Sequence, residues 1–507
     1  MNLKAVHILG YLAGLFFALE PSYIHPDEHF QSLEILAQHF FGTGRTIPWE
    51  FLPENAARSF GPLYLTYGPL FYLYREFGGK QSGLTLLYLV RLQNYLMFTC
   101  IYKLALQFLL RSKLDRAKAS FYISTSYIGW TYQTHSFSNS LETCALLVVL
   151  SLFQALIQDS REQKYTHYRT CAILGFAIAF GVFNRVTFLG FIALPCIPTF
   201  TNFYAKHVKS FVVLIIAFAL SCTAFIYLDT QLYKTSHWCI APLNNLRYNL
   251  KTSNLVVHGL HPRYTHLLIN LPQILGPLLV YFTSRRQRIN LTSLSCISGL
   301  LFLSAFQHQE LRFLIPLMPL LCASIELSNL DTVIPTRYVT GAWIIFNIIF
   351  ATIMGSLHQR GVLTAIQEMT KNDTQIGVHF WWRSYSPPTW LYFNKDLVVS
   401  TTNIVNQEER VDNIDFDITK DHVIDLKGCD YKLFETTAQK FLNQGSGIRV
   451  IIPKSSGKLV NRFKESHSNL RVQNIWETYF SLDLDHIDFA DISTLTPGIT
   501  IYEINVL

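Results

Sequence analysis

Long apolar stretches alternate with short polar segments over the first 356 residues. Each stretch is long enough, or nearly so, to cross a hydrocarbon core of about 30 Å as a helix. The pattern therefore predicts about eleven membrane-spanning helices. The stretches lie near residues 5–21, 84–110, 119–135, 141–157, 170–183, 187–203, 210–228, 265–283, 291–307, 313–330 and 338–356.

Three parts of this pattern are irregular. The first run, residues 5–19, has the length of a signal peptide but no small-residue cleavage site follows it, which predicts a retained anchor. The stretches beside Asn184-Arg185 and before Pro195 and Pro198 are expected to be short or re-entrant. Residues 60–74 are densely aromatic but broken by Gly and Pro, which predicts an interfacial segment lying on the membrane.

After residue 357 the composition becomes mixed and charged. Strand-like runs occur at 423–426 and 448–452, with a helical pattern near 432–443. We therefore expect two domains, a transmembrane region over 1–356 and a small α/β domain over 357–507.

The basic residues predict the orientation of the spans. Twelve of them lie in four short loops that fall on one side if the spans alternate, and the positive-inside rule makes that side cytoplasmic. The loops are residues 111–118, 161–169, 206–209 and 285–288. The segments 22–83, 229–264 and 308–312 and the C-terminal domain are then lumenal, in agreement with a glycosylation sequon at Asn372. A second sequon, at Asn290, lies beside a basic loop and is expected to stay unglycosylated.

The composition excludes an ordinary soluble domain, because 50% of the 507 residues are hydrophobic and only 15% are charged. The net charge of +7 sits in loops between apolar runs, so it indicates topology and no nucleic-acid partner. The nine cysteines show no metal-ligand or disulfide spacing. Only Cys239 and Cys429 fall in polar segments where one disulfide is conceivable.

The first candidate site follows the first span directly. Asp27 and Glu28 are adjacent carboxylates flanked by His25 and His29. A carboxylate at a membrane surface is suited to act as a general base or to bind a cation. Two other interpretations stay open: Asp27 as the N-cap of a helix, and a metal site formed by His25, Asp27 and His29, although the spacing matches no helical His-Glu-x-x-His pattern.

The second candidate site is the turn at 308–316. His308 and Arg312 are four residues apart, so on a helix they would share a face and form a donor pair suited to a phosphate. The alternative is a polar turn in which Arg312 reaches the lipid headgroups. Arg185 lies between two short spans, where an arginine usually has an anionic partner, and headgroup anchoring is again the alternative.

Three segments together resemble the dolichol-phosphate-mannose-dependent α-mannosyltransferases of the endoplasmic reticulum: residues 25–34, 61–69 and 308–316. The resemblance is to the branch that acts on glycosylphosphatidylinositol (GPI) anchors and covers roughly residues 1–356. Within that branch, residues 25–34 are most similar to the members that add a fourth, side-branching mannose. The members that add the third mannose are the close competitor.

The resemblance implies a mainly α, polytopic membrane protein of the GT-C type, in which the first lumenal loop supplies the catalytic carboxylate. The acidic motif of the family carries over to Asp27 and Glu28, and its later His-x-Glu-x-Arg turn to His308, Glu310 and Arg312. Many members have a second basic residue after the histidine of that turn, where this chain has Gln309. The turn is therefore not purely a cation cluster.

The implied reaction is an inverting transfer of mannose from dolichyl phosphate mannose to the third mannose of a GPI precursor, in α-1,2 linkage at the lumenal face of the endoplasmic reticulum membrane. Asp27 would be the base, and Glu28, His25, His29 and Glu310 would position the acceptor or its neighbours. His308, Arg312 and Arg185 would bind the donor phosphate.

We expect no cofactor and no obligatory metal, since basic side chains can serve a monophosphate leaving group. Two other classes remain, a lipid or glycolipid transporter and a scaffold subunit. A transporter should place ionisable residues near the membrane midplane, whereas here they gather at one edge.

Overall fold

The computed structural model describes residues 3–79, 81–161, 167–251, 254, 259–282, 289–325, 335–371, 377–405, 408–412, 414–484 and 491–507. Asn372 and the basic loop at 285–288 lie outside these ranges. The chain divides into two compact units, each described here by itself. The first consists of Met1–Leu19, Pro48–Pro69 and Val90–Ala351, and the second of Glu20–Ile47, Leu70–Leu89 and Thr352–Leu507.

Helices make up most of the chain up to residue 370. They are α1 (Leu3–Ala18), α2 (Glu34–Phe41), α3 (Phe60–Phe77), α4 (Gly83–Leu109), α5 (Lys113–Ser124), α6 (Tyr127–Trp130), α7 (Ser138–Arg161), α8 (Tyr168–Asn184), α9 (Phe188–Thr199), α10 (Val208–Tyr233), α11 (Ala241–Asn249), α12 (Leu271–Leu275), α13 (Leu279–Phe282), α14 (Leu291–Ser304), α15 (Leu317–Ser324), α16 (Thr336–Thr352) and α17 (Arg360–Thr370).

Four helices in the described ranges are long and apolar enough to cross a membrane: Gly83–Leu109, Ser138–Ser160, Val208–Tyr233 and Thr336–Leu357. Five shorter apolar helices accompany them: Ala5–Ala18, Tyr168–Asn184, Phe188–Tyr204, His266–Phe282 and Leu291–Ser304. Only 6% of the most apolar part of α10 is buried within the protein, against 78% for α7. The exposed apolar face of α10 therefore suits contact with lipid, and α7 forms the centre of the bundle.

Three of the eleven predicted spans are interrupted within the described residues. The stretch 119–135 breaks after Ser124, and residues 131–137 are buried without being helical. Hydroxyl groups bind carbonyls beside this break: Thr125 Oγ1 donates to the carbonyl of Phe121 at 2.7 Å, and Thr131 Oγ1 to that of Tyr127 at 2.8 Å. In the stretch 313–330, α15 ends at Ser324, and residues 326–330 lie outside the described ranges.

The proline-containing stretches also differ from expectation. α9 continues through Pro195 and Pro198 and stays short, as predicted. The sharp interruption lies instead in the stretch 265–283, where Gly276 (φ +45°) precedes Pro277 and separates α12 from α13. The segment 60–74 lies within one helix, α3, despite Pro69. Its position relative to the membrane stays a prediction.

The helices of the first unit pack closely where small residues allow it. α8 lies against α10, and a Cβ added at Gly175 would lie 2.6 Å from the carbonyl oxygen of Leu214. Such close backbone approach through small residues is typical of helices packed within a membrane. α7 packs on α8 and α9, and α9 packs on α14.

The second unit contains a seven-stranded mixed sheet. Its strands are β1 (Val378–Trp382), β2 (Val398–Val405), β3 (Glu408–Asp412), β4 (His422–Lys427), β5 (Ile448–Pro453), β6 (Leu470–Thr478) and β7 (Ile499–Val506), in the order β3-β2-β4-β1-β5-β7-β6. The pairs β1–β4, β1–β5 and β2–β4 are parallel, and the outer pairs are antiparallel.

Two helices cover the sheet, α18 (Tyr431–Asn443) and α19 (Lys458–Ser466). Aromatic residues form much of the core, and the rings of Trp382 and Phe434 stack at 4.3 Å. The predicted strands at 423–426 and 448–452 and the helix near 432–443 are thus confirmed. Alternating or continuous apolar runs depend only on neighbouring residues, so they predict such elements from the sequence alone.

Candidate active site

Asp27 lies in the first turn of the helical segment that leads into α2. The backbone N–H groups of His29 and Phe30 donate to the carbonyl of Pro26 at 3.0 Å, so the helix begins at Asp27 and Asp27 is not its N-cap. The side chain of Gln31 donates from Nε2 to Asp27 Oδ2 at 2.6 Å. Residues His29–Leu33 form a π-helical turn, a distortion that frequently occurs at functional sites. The carboxylate is thus oriented by Gln31, a partner that sequence reasoning missed.

The two adjacent carboxylates have different surroundings. The side chain of Asp27 is 23% exposed, whereas that of Glu28 is 1% exposed. Glu28 Oε1 accepts the backbone N–H of Ile24 at 3.1 Å and lies 3.6 Å from Nε2 of His29. Only Asp27 is therefore accessible to a substrate, and Glu28 stabilises the loop.

The two histidines of this motif also differ. The ring of His29 is buried, packed edge-on against Tyr23 at 4.8 Å and contacted by Nε1 of Trp390. His25 is partly exposed, and its Nδ1 accepts the backbone N–H of Asp27 at 3.1 Å. Among the described residues no three His, Cys, Asp or Glu side chains come together as metal ligands would. The metal interpretation of His25, Asp27 and His29 therefore has no geometric support.

A third carboxylate, Glu34, anchors this loop to the C-terminal segment within the second unit. Its Oε1 accepts the backbone N–H groups of Arg45 and Thr46 at 3.0 and 3.1 Å, and the hydroxyl of Thr389. Its Oε2 accepts the N–H of Trp390 at 3.2 Å. Burial raises the pKa of Glu34 to about 7, against the lowering effect of these hydrogen bonds. Sequence reasoning missed Glu34 because two of its partners, Thr389 and Trp390, lie 355 and 356 residues away.

The turn at 308–312 belongs to the first unit and is not helical at His308. A 3₁₀ turn begins only at Leu311. Nε2 of His308 contacts Glu310 Oε1 at 2.8 Å, and its Nδ1 lies 3.1 Å from the carbonyl oxygen of Gly259. Arg312 binds both oxygens of Glu310 through Nε and Nη2, the Nη2–Oε1 distance being 3.0 Å. His308 and Arg312 thus meet on a shared carboxylate, and the helical face that their spacing suggested does not form.

Two acceptors on one imidazole favour its charged form. Burial lowers the pKa of His308, but the hydrogen bond and charge of Glu310 outweigh burial, and the net pKa is raised. Gln309 has a structural role instead. Its Oε1 accepts the backbone N–H of His266 at 2.8 Å, and its Nε2 donates to the carbonyl of Phe306 at 2.9 Å.

Arg185 joins this turn. Its guanidinium carbon lies 5.3 Å from the ring centroid of Phe313, and that of Arg312 lies 5.5 Å from the same centroid. The anionic partner expected for Arg185 is Glu142, with Nε–Oε2 at 3.3 Å. Nη1 of Arg185 also donates to Ser138 Oγ at 3.0 Å. Arg185 is therefore held by hydrogen bonds inside the protein, which disfavours headgroup anchoring.

Sequence reasoning missed a further arginine of this cluster, Arg58. Its Nη1 donates to the same Ser138 Oγ at 3.3 Å, and its Nε binds Glu50 Oε1 at 3.0 Å. The sequence does not single out Arg58, because this residue lies between a loop and α3 and belongs to no recognisable motif. We define the arginine cluster as Arg58, Arg185 and Arg312, each paired with one glutamate.

Buried neutral polar groups flank the arginine cluster. Asn139, which follows Ser138 in the chain, is 1% exposed, and neither amide atom finds a hydrogen-bond partner among the described residues. The same holds for Oε1 of Gln133, whose Nε2 donates to Thr143 Oγ1 at 2.9 Å. Buried amides normally have partners. Both side chains are as buried as Glu28, so they are not accessible to a substrate in this structure.

The fold is of the GT-C type. The structure of ArnT from Cupriavidus metallidurans bound to undecaprenyl phosphate has a TM-score of 0.55 and 9% identity, over 98% of this chain and 97% of that chain. The apo structure of the same ArnT has a TM-score of 0.50 and 10% identity over the same shares. At these identities the likeness shows the fold alone.

The sequence comparisons identify the family. Residues 6–394 match the Alg9-like mannosyltransferase family, and the chain belongs to it. It is 44% identical to GPI mannosyltransferase 4 of Eremothecium gossypii over 99% of this chain and 100% of that protein. It is 45% identical to GPI mannosyltransferase 4 of Saccharomyces cerevisiae over 98% of each, and 42% identical to that of Candida glabrata over 96% and 97%. The resemblance seen in the sequence is thereby confirmed.

Proposed function

We propose that this enzyme transfers mannose from dolichyl phosphate mannose to the third mannose of a GPI-anchor precursor, adding the fourth mannose in α-1,2 linkage. It would act in the endoplasmic reticulum membrane with its active site facing the lumen. The observation that carries the proposal is the end-to-end similarity to proteins named GPI mannosyltransferase 4. A polyprenyl phosphate ligand in a protein of the same fold is consistent with a lipid phosphate donor.

The contacts of the first unit support the predicted topology. Segments that the basic residues place on one side of the membrane touch one another: Arg185 reaches Phe313, and the carbonyl of Gly259 contacts His308. The hydroxyl of Tyr233 donates to the carbonyl of Arg58 at 2.6 Å. Segments on opposite faces of a bilayer would be separated by about 30 Å and would not meet.

Asp27 is the proposed base of a single displacement. Its carboxylate takes the proton from the acceptor hydroxyl while that oxygen forms a bond to the anomeric carbon of mannose. The bond between the anomeric carbon and the phosphate oxygen breaks, and dolichyl phosphate leaves with the electron pair. The accessible side chain of Asp27 and its orientation by Gln31 suit this role. Glu28, buried beside His29, positions the loop, and His25 holds the backbone of Asp27.

The leaving phosphate would meet the arginine cluster together with His308. Hydrogen-bond donors that are already oriented stabilise developing charge without further reorganisation. Electrostatic stabilisation of the transition state is therefore large in enzymes. Glu310 orients both His308 and Arg312, and Glu142 orients Arg185.

The test is mass spectrometry of GPI intermediates in cells from which the chain is removed. Accumulation of a three-mannose precursor supports the proposal. Accumulation of a two-mannose precursor would assign the enzyme to the third mannose instead. Normal precursors together with a defect in lipid distribution would indicate a transporter. Re-expression of the wild type, but not of a variant lacking the base, should restore the normal pattern.

A further inference from the structure

An open cavity of about 270 Å³ lies in the first unit, away from the residues assigned above. Residues 49–57 form one wall, and residues 235–251 form the other. Both segments belong to loops that the sequence places on the lumenal side. The cavity is mainly polar, and its lining includes an aromatic pair, two asparagines and several charged side chains.

The aromatic pair provides a flat surface. The rings of Trp49 and Tyr248 stack with centroids 4.0 Å apart and an interplanar angle of 29°. Asn55 Nδ2 donates to the carbonyl of Trp49 at 3.0 Å, and Asn244 Nδ2 donates to that of Ala56 at 3.2 Å, which fixes both walls. The amide oxygens of these two asparagines form no hydrogen bond with any described residue. A flat aromatic surface beside amide groups suits a sugar ring, which has apolar C–H faces and hydroxyl groups at its edge.

The charged side chains of the cavity are unpaired among the described residues. The side chains of Arg247, Lys251, His237 and Glu54 line the cavity and form no side-chain hydrogen bond or ion pair with any described residue. Arg247 and Lys251 are therefore available for an anionic group with permanent charge, such as a phosphodiester.

Helix α11 and the residues just after it line the cavity. Asn244, Arg247 and Tyr248 lie on α11, and Lys251 follows the end of the helix at Asn249. Leu243, Leu250 and the neighbouring Trp238 are exposed apolar side chains. Exposed leucines and a tryptophan beside basic residues are typical of a segment at a membrane interface. The ligand is thus expected to be attached to a lipid.

We propose that this cavity, here called the glycolipid pocket, binds the phosphodiester and the adjoining sugar of the GPI acceptor. This inference rests on the proposed function and names the part of the acceptor that is held away from the reacting mannose. Arg247 and Lys251 bind the phosphodiester, the Trp49–Tyr248 pair stacks on the sugar, and Glu54 accepts its hydroxyl groups.

The glycolipid pocket is joined to the arginine cluster through a short path. The backbone N–H of Ala57 donates to the carbonyl of Glu50 at 2.8 Å. Glu50 binds Arg58, which shares Ser138 with Arg185. The glycolipid pocket therefore lies beside the segment that carries Arg58, and binding there holds the acceptor near the arginine cluster.

The experiment uses the full-length enzyme in detergent and a double variant, Arg247→Ala with Lys251→Ala. The matched control is Lys206→Ala with Lys209→Ala, which removes the same charge from a loop predicted to be cytoplasmic. The expected result is that the KM for a three-mannose GPI rises roughly 10- to 100-fold in the pocket variant, the range for losing one charge-assisted contact. Its kcat and its KM for dolichyl phosphate mannose should stay within twofold of the wild type. Equal acceptor KM in the pocket variant and the control would overturn the proposal.

A binding measurement separates this proposal from the proposed function. Equilibrium binding to the enzyme is measured for the three-mannose GPI and for the same glycan as a simple alkyl glycoside without phosphate. The wild type should prefer the phosphate-bearing probe, and the pocket variant should lose that preference, even if no mannose is transferred. Loss of dolichyl phosphate affinity instead would mark the pocket as part of the donor site and contradict the proposal. The variant Tyr248→Ala should weaken binding of both probes.

Discussion

Arg58 and Arg185 donate to one and the same oxygen, Ser138 Oγ, at 3.3 and 3.0 Å. Two like charges meet there because each has its own carboxylate, Glu50 for Arg58 and Glu142 for Arg185. The pairing fixes the direction of both guanidinium groups before any substrate binds. An anion entering this site would meet oriented donors, which is the arrangement expected for stabilising a leaving phosphate.

The first prediction concerns the base. Asp27→Asn keeps the size of the side chain and an oxygen that can accept from Gln31 Nε2, but it removes the basicity. Turnover should fall by roughly two to four orders of magnitude while expression and membrane insertion stay near normal. Turnover is measured with dolichyl phosphate mannose and a three-mannose GPI.

Glu28→Gln is the matched control for this prediction. It should reduce turnover less, because Glu28 is buried and its Oε1 can be replaced by an amide oxygen that still accepts from Ile24. If Asp27→Asn is active and Glu28→Gln is inactive, the base is Glu28 and not Asp27. Activity in both variants would exclude this loop from the chemistry.

The second prediction concerns the arginine cluster. Arg185→Lys keeps the charge but loses the planar guanidinium group, which contacts Ser138 and Glu142 at the same time. The kcat/KM for the donor should fall roughly 10- to 100-fold, the range for one or two charge-assisted hydrogen bonds. Steady-state kinetics with varied donor at saturating acceptor measures this. Ser138→Ala is the control, because it removes one partner of Arg185 but keeps the guanidinium, and it should lower kcat/KM less. An unchanged kcat/KM in Arg185→Lys would show that Arg185 has only a structural role.

The third prediction is a pH dependence set by Glu310. The pKa of His308 is raised by its contact with Glu310, so the imidazolium persists above the usual range and is lost as the pH rises through the raised value. Glu310→Gln removes the negative charge and should lower that pKa. The loss of donor affinity on the alkaline side should then occur at a lower pH. The measurement is donor KM against pH, and a His308→Ala enzyme should lack this transition. Identical profiles for wild type and Glu310→Gln would contradict the role of the pair.

The fourth prediction concerns Glu34 and stability. Its pKa is raised by burial from 4.5 to about 7, so the folded state holds the proton more tightly than the unfolded state between these values. The stability of the protein should therefore be highest below about pH 4.5, fall by about 3 kcal/mol as the pH rises towards 7, and then stay level with respect to this group.

Glu34→Gln should remove this part of the pH dependence, and thermal unfolding from pH 5 to 8 measures the difference between the two proteins. Glu34→Ala should be more destabilising at every pH, because several buried donors lose their acceptor at a cost of about 1–3 kcal/mol each. Parallel pH curves for wild type and Glu34→Gln would show that the carboxyl group does not titrate in this range.

The local pattern of the sequence determined much of this protein. Runs of apolar residues predicted the helices α4, α7, α8 and α10 and the strands β4 and β5, because burial along one element depends on neighbouring residues and repeats with a fixed period. The motif at Asp27 and the turn at His308 were visible because their residues are adjacent in the chain. The non-helical stretch at 131–137 and the break at Gly276 escaped this pattern, since hydropathy alone does not report where a helix breaks or where φ is positive.

Only the tertiary structure decided which charges meet. Glu34 finds Thr389 across 355 residues, and Arg58 meets Ser138 across 80. No spacing rule connects such residues, because their proximity results from packing of helices and sheets that are far apart in the chain. The same holds for the glycolipid pocket, whose two walls come from separate loops. The sequence thus determined where the helices and the two motifs lie, and the packing of distant segments decided which side chains hold each motif in place.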